Sequence, residues 1–170
     1  MSKRKIALFV EEVYNDLEFW YPYYRMKEAG FEVVVVGTGK QETFKSKFGM
    51  PVKPDVVSSA VKTEELAGVI IPGGYAPDKM RIDPAMLKIV QELFNDGKLV
   101  ASICHAGWVL ISAGVVKGIK ATGCIMINDD LVNAGAEYLD QEVVVDGNLI
   151  TSRVPDDLPA FCQEILKNLA

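Results

Sequence analysis

Three groups of residues have types and spacing that could do chemistry. Cys104 directly follows the apolar run Leu99–Ile103 and precedes a stretch that reads as a helix. A residue at such a strand-to-helix turn is held above the sheet edge with its side chain exposed, as in a nucleophile elbow. A cysteine there also feels the positive end of the helix macrodipole. That lowers its pKa and enlarges the thiolate fraction, and the thiolate is the nucleophile. The plainer reading is a small buried hydrophobe. His105 is the only histidine and adjoins Cys104. Neighbours in a regular helix do not face each other, so a Cys–His pair needs an irregular turn; otherwise the ring serves nearby backbone. The His105 N–H is a separate matter, because the amide after a nucleophile is a usual oxyanion donor. Pro72-Gly73-Gly74 follows the strand-like Val69–Ile71. Its glycines let backbone approach closely and aim N–H groups into a site, although alone they would be only a tight turn. The acidic set is Glu11, Glu12, Asp16 and Glu18. A carboxyl close to a thiolate would have its pKa raised by burial and like charge, and once protonated could donate to the sulfur. The alternative is a helix N-terminal acid favoured by the dipole. Cys124 and Cys162 lack this context, and Cys162 falls on the apolar face of the last helix.

These residues need a frame, and the hydrophobic pattern supplies one. Ile6–Val10, Phe31–Val36, Val69–Ile71 and Leu99–Ile103 are short apolar runs of the kind that form strands buried on both faces. A helix is predicted from about Asp16 to Ala29, with Leu17, Trp20, Tyr21 and Tyr24 at i, i+3, i+4 and i+7 as its apolar face and Gly30 as its stop. Because Pro22 has no N–H, the Glu18 carbonyl loses its helical partner. Asp83 with Pro84 opens a helix running to about Gly97, and another is expected from Gly107 to about Val115. Val143–Val145 and Leu149–Thr151 flank Asp146-Gly147-Asn148, a hairpin signal. Asp156 or Asp157 caps a final helix with Leu158, Phe161, Cys162, Ile165 and Leu169 on one face. Buried strands alternating with helices predict an α/β fold with a mostly parallel sheet, whose ligands bind beyond the strands' carboxyl ends. The loops to watch are therefore Glu11–Glu18, Gly73–Asp78 and Cys104–Trp108.

Composition narrows the function classes. With 170 residues, 49% of them hydrophobic, the chain is expected to form one domain over 1–170 that folds without metal or disulfide. A formal net charge of −5 argues against a nucleic-acid groove or an anionic-membrane surface. One histidine excludes zinc sites needing two or three within one chain. Three cysteines, none in a C-x-x-C pair, suit free thiols in a reducing cytoplasm. Neither a secretory leader nor a membrane span is read. Gly37-Thr38-Gly39-Lys40 matches neither G-x-G-x-x-G nor the P-loop spacing, and no cofactor or metal is implied.

Several segments together resemble the PfpI/ThiJ superfamily, and most closely its PfpI intracellular cysteine peptidase branch. They are Asp16-Leu17-Glu18-Phe19-Trp20-Tyr21-Pro22-Tyr23, Ile71-Pro72-Gly73-Gly74-Tyr75-Ala76-Pro77-Asp78, Ala101-Ser102-Ile103-Cys104-His105, Asp129 to Gly135, Val143 to Asn148 and Ser152 to Leu158. The resemblance implies a flavodoxin-like three-layer sandwich with Cys104 on a strained elbow. It implies Cys104 as nucleophile, His105 beside it and Glu18 as the acid that hydrogen-bonds the thiolate. Gly73, Gly74 and His105 would offer oxyanion-hole amides. Asp78 falls where the branch places a carboxylate that reaches the histidine of an adjacent subunit, so a homo-oligomer, dimer or hexamer, is expected. Asn15 stands where close relatives often carry another glutamate, and Asp78 is one methylene shorter than the usual residue. Trp108 would either wall the pocket or pack beneath it.

Three functions follow. The first is a cysteine hydrolase acting on peptides, with Cys104 attacking a carbonyl and His105 as base and acid. The second is a cofactor-free glyoxalase or deglycase, with Cys104 attacking an aldehyde and Glu18 moving a proton between adjacent carbons. The third is a non-catalytic redox-sensing stress protein in which Cys104 is oxidised to a sulfinate.

Overall fold

The computed structural model describes residues 4–170. Their elements run β1 (Lys5–Val10), α1 (Asp16–Glu28), β2 (Glu32–Gly37), β3 (Phe44–Lys45), β4 (Pro51–Val52), β5 (Val56–Val57), β6 (Leu66–Ile71), α2 (Ala76–Met80), α3 (Pro84–Asn95), β7 (Leu99–Ile103), α4 (Gly107–Ser112), β8 (Lys120–Ala121), α5 (Asn128–Asn133), β9 (Glu137–Tyr138), β10 (Val143–Asp146), β11 (Leu149–Ser152) and α6 (Leu158–Asn168). The main sheet has seven strands in the order β10-β11-β7-β6-β1-β2-β5, parallel except for the hairpin strand β10. β1 and β7 are apolar on both faces because helices cover both: α1 and α6 pack on one side, α3 and α4 on the other. Every residue from Ile6 to Val10 and from Leu99 to Ile103 is buried. Each large aliphatic side chain buried this way stabilises the fold by roughly 1.5–3 kcal/mol. This is the three-layer α/β sandwich expected. No helix among the described residues is long and apolar enough to cross a membrane.

Register decides where the site lies. Ile71 on β6 pairs with Ser102 on β7, and β1 lies on the other side of β6. Three neighbouring strands therefore end together, and their loops meet above one stretch of sheet edge.

Helix α3 starts at the cap expected for it, and α1 starts at one the sequence pattern had not singled out. Asn15 caps α1, its Oδ1 accepting from the N–H groups of Leu17 (3.0 Å) and Glu18 (3.3 Å). Asp83 Oδ1 caps α3, accepting from Ala85 and Met86 N–H at 2.9 Å each. Gly30 ends the α1 connection at φ +91°. Two expectations need correction. Leu17, Tyr21 and Tyr24 do not face the core: they are 61%, 40% and 62% exposed, whereas Glu18, Phe19, Pro22 and Met26 are buried. The helix is apolar on two sides, and packing on β1 and β2 selected the side that carries Glu18. Asp157 occupies the N-cap position of α6 but caps nothing. Its carboxylate is taken by Arg153, Nε to Oδ2 at 2.9 Å and Nη2 to Oδ1 at 3.2 Å.

Candidate active site

The loop after β7 carries the clearest mark of a site. Cys104 has φ +61°, one of two non-glycine residues among those described in the left-handed region. That conformation costs a residue with a side chain of order 1–3 kcal/mol and persists only where its surroundings impose it. Here the chain passes from β7 straight into a 3-10 turn, Cys104–Ala106, before α4 begins at Gly107. The turn leaves Cys104 and His105 half-buried while Ala106 goes into the core. The irregularity also lets adjacent side chains meet, with His105 Nδ1 3.3 Å from Cys104 Sγ.

Glu18 enters from α1 and is fully buried. Its Oε2 accepts the Gly73 N–H at 2.7 Å, and its Oε1 is buried without a hydrogen-bond partner. Burial pushes its pKa up to about 7, partly opposed by the Gly73 N–H and by Cys104. The Cys104 thiol is also pushed up, first by burial and then by the charge of an ionised Glu18, with the His105 N–H opposing. This corrects the expectation of a thiol acidified by the helix dipole: α4 has only six residues, and burial beside a carboxylate outweighs it. A thiolate becomes favourable here when Glu18 holds the proton, which removes the like charge and supplies a donor. Burial lowers the His105 pKa, so the ring is neutral near pH 7 and able to take a proton.

The Pro72-Gly73-Gly74 loop fits between these groups for steric reasons. A Cβ on Gly73 would lie 2.6 Å from Glu18 Oε2, 2.8 Å from Cys104 Cβ and 3.1 Å from His105 N. Gly74 has φ +76°, and a Cβ there would strike Asn15 N at 2.6 Å and Val13 O at 2.7 Å. The β1–α1 loop locks onto this turn through Asn15 N–H to Gly73 O (3.2 Å) and Tyr75 N–H to Val13 O (3.0 Å). Val13 itself is held at φ +65°. Of the three amides expected to hold an oxyanion, Gly73 instead donates to Glu18. Gly74 and His105 donate to no other backbone carbonyl among the described residues.

Other expected residues sort clearly. Glu11 accepts from the Thr38 hydroxyl and the Glu12 N–H, Glu12 accepts from Lys45 N–H, and Asp16 accepts from Ser46 Oγ and Phe48 N–H. These three acids brace loops, and only Glu18 reaches the cysteine. Asp78 lies on α2, exposed, and accepts no side-chain hydrogen bond from the described residues. Trp108 flanks His105, ring centroids 5.2 Å apart, and its Nε1 donates to Asp130 Oδ2 at 2.7 Å. The Arg81 guanidinium sits 5.6 Å from the centre of its ring. Trp108 thus stands beside His105 and is held from two directions. Cys162 is core, as expected. Cys124 was missed. It is buried, and its Sγ lies 3.6 Å from both His105 ring nitrogens. Cys104, His105 and Cys124 offer two sulfurs and a ring nitrogen within 4.8 Å of one another.

Known proteins share this fold and much of this sequence. The profile of the DJ-1/PfpI family matches residues 4–168. The chain is 43% identical over 165 residues to Deglycase PfpI of Pyrococcus furiosus, covering 97% of this chain and 99% of that one. It is 40% identical over 169 residues to YraA of Bacillus subtilis, whose name marks it as a candidate cysteine protease, covering 99% of both. The crystal structure of Drosophila melanogaster DJ-1beta superposes with a TM-score of 0.92 at 29% identity, covering 99% of this chain and 91% of that one. An elbow cysteine, a buried glutamate on the first helix and a sequence match spanning nearly the whole chain place this protein in the DJ-1/PfpI family.

Proposed function

We propose that the chain is a cysteine-dependent enzyme of the PfpI type in which Cys104 attacks a carbonyl. The observation that carries this reading is Cys104 itself, at φ +61° on the elbow, half-buried, with His105 at 3.3 Å and the Glu18 carboxyl close by, both Glu18 and Cys104 lying against Gly73. In peptide hydrolysis the Cys104 sulfur adds to the scissile carbonyl and the Gly74 and His105 N–H groups receive the oxyanion. His105, neutral near pH 7, takes a proton and returns it to the leaving amine. Water then releases the acyl group. Relatives named as a deglycase and as a candidate cysteine protease support carbonyl chemistry of either kind.

One observation favours a second reading, a glyoxalase or deglycase. Glu18 has a pKa near 7, which suits a group that gives and takes a proton near neutrality. On a hemithioacetal at Cys104 it would shift a proton between the two adjacent carbons. Peptide cleavage and methylglyoxal consumption by His105→Ala and Glu18→Gln separate the readings. Hydrolysis predicts that His105→Ala loses roughly 10²–10⁴-fold in rate, as removal of a general acid–base does. The second reading predicts that Glu18→Gln suffers this loss and His105→Ala much less. Retained turnover of either substrate in Cys104→Ala would contradict both.

Our reading includes a homo-oligomer, dimer or hexamer, in a reducing cytoplasm. Leu17, Tyr21 and Tyr24 leave α1 with an apolar outer face, rimmed by Arg25, Lys27 and Glu28. Two copies related by a two-fold axis can cover that face and pair the unlike rim charges. Asp78, which accepts no side-chain hydrogen bond from the described residues of its own chain, would reach the His105 of a neighbouring subunit.

A further inference from the structure

We propose that Cys124 is a resolving thiol for Cys104, so that mild oxidation by a peroxide closes a reversible Cys104–Cys124 disulfide across the site. The proposal rests on Cys104 being the reactive thiol.

The two cysteines lie twenty positions apart in sequence but side by side in the fold. The Cys124 N–H donates to the Cys104 carbonyl at 3.4 Å. A direct backbone hydrogen bond brings the two residues close to the Cα separations, roughly 4.4–6.8 Å, that bridged cysteines span. The side chains converge as well. Both sulfurs touch one imidazole, Cys104 at 3.3 Å and Cys124 at 3.6 Å, and the two sulfurs are no more than 4.8 Å apart. Bond formation needs the sulfurs to close the remaining distance by side-chain movement. Cys124 is 2% exposed, which shields it from direct oxidation while Cys104 remains accessible from solvent.

The steps balance. The Cys104 thiolate attacks the distal oxygen of a hydroperoxide; the O–O bond breaks, an alcohol or water leaves, and Cys104 becomes a sulfenic acid. His105 takes the Cys124 proton. The Cys124 sulfur attacks the Cys104 sulfur, the S–O bond breaks, and the departing hydroxide takes up a proton and leaves as water. Two thiols and one peroxide give one disulfide, one alcohol and one water. Without Cys124 the sulfenic acid meets a second peroxide and proceeds to the sulfinic acid, which thiols do not reverse. A strained turn closed by such a bond would be readily reopened by thiol exchange.

The test treats the full chain and its Cys124→Ser variant with graded hydrogen peroxide, then maps peptides by mass before and after dithiothreitol. The wild type is expected to lose two hydrogens, to show the peptides of Cys104 and Cys124 cross-linked with Cys162 free, and to regain Cys104 alkylation after reduction. Cys124→Ser is expected to gain two oxygens on Cys104 and to lose that recovery. Untreated Cys124→Ser should alkylate at Cys104 like the wild type, which excludes misfolding as the cause. Sulfinic acid on Cys104 in both proteins, with no cross-linked peptide, would overturn the proposal and leave the nucleophile intact. A Cys104 inert to peroxide and to alkylation in both would overturn the nucleophile along with it.

Discussion

Cys104 occupies a conformation that glycine adopts freely and a residue with a Cβ adopts at a cost of about 1–2 kcal/mol. The site therefore keeps a side chain where stability would prefer none. Cys104→Gly is expected to be more stable than Cys104→Ala by about 1 kcal/mol in urea unfolding, with both inactive. Equal stability would mean that the elbow carries no strain. Glu18 makes a second cost measurable. An ordinary glutamate loses its proton near 4.5, whereas this one, buried, holds it to about 7. Between those values the folded chain binds more protons than the unfolded chain, so stability falls as pH rises. The loss over that window is about 3 kcal/mol. Glu18→Gln should flatten it, and parallel urea titrations at pH 4.5 and 7.5 would show whether it does.

At the level of elements, three loops make the site because β7, β6 and β1 are adjacent and end together. The tolerance between them is a hydrogen atom's width at Gly73. Gly73→Ala would press a methyl group against Glu18, Cys104 and the His105 amide. It is expected to cost roughly 1–3 kcal/mol, as overpacking does, and to suppress Cys104 alkylation even where the protein remains folded. Undiminished alkylation in a folded variant would show that the loop contact does not position the thiol. The strands and the cap at Asp83 were legible in sequence because short apolar runs and an Asp before a helix have local causes. Cys104, His105, Glu18 and the glycine turn were legible for the same reason, strengthened by the family resemblance. The buried face of α1 was not. Its apolar residues lie on both sides, and the polar Glu18 belongs to the buried one. Cys124 was illegible because nothing local distinguishes it; only the irregular segment before α5 folding back against the elbow brings it to His105. The direction of the Cys104 shift depended on burial, which the sequence pattern does not report.

For the whole molecule, a single chain leaves two features without a use: the apolar outer face of α1 and the exposed Asp78. The proposed oligomer would account for both. Tyr24→Arg is expected to lower the mass seen by light scattering toward that of one chain. Asp78→Asn is expected to leave the mass unchanged and reduce turnover, with Cys104 alkylation unaffected. A wild type that is already monomeric would remove this part of the account.

The central claim is that Cys104 is the nucleophile and shares a proton with Glu18. It is tested most directly by the rate of iodoacetamide alkylation at each of the three cysteines against pH, read by mass spectrometry. Buried Cys124 and Cys162 serve as internal controls. The account predicts that Cys104 reacts far faster than either, that its rate rises through about pH 7 as the pair loses its first proton, and that Glu18→Gln moves this inflection upward. A Cys104 as slow as Cys124 and Cys162, or a profile unchanged by Glu18→Gln, would contradict it.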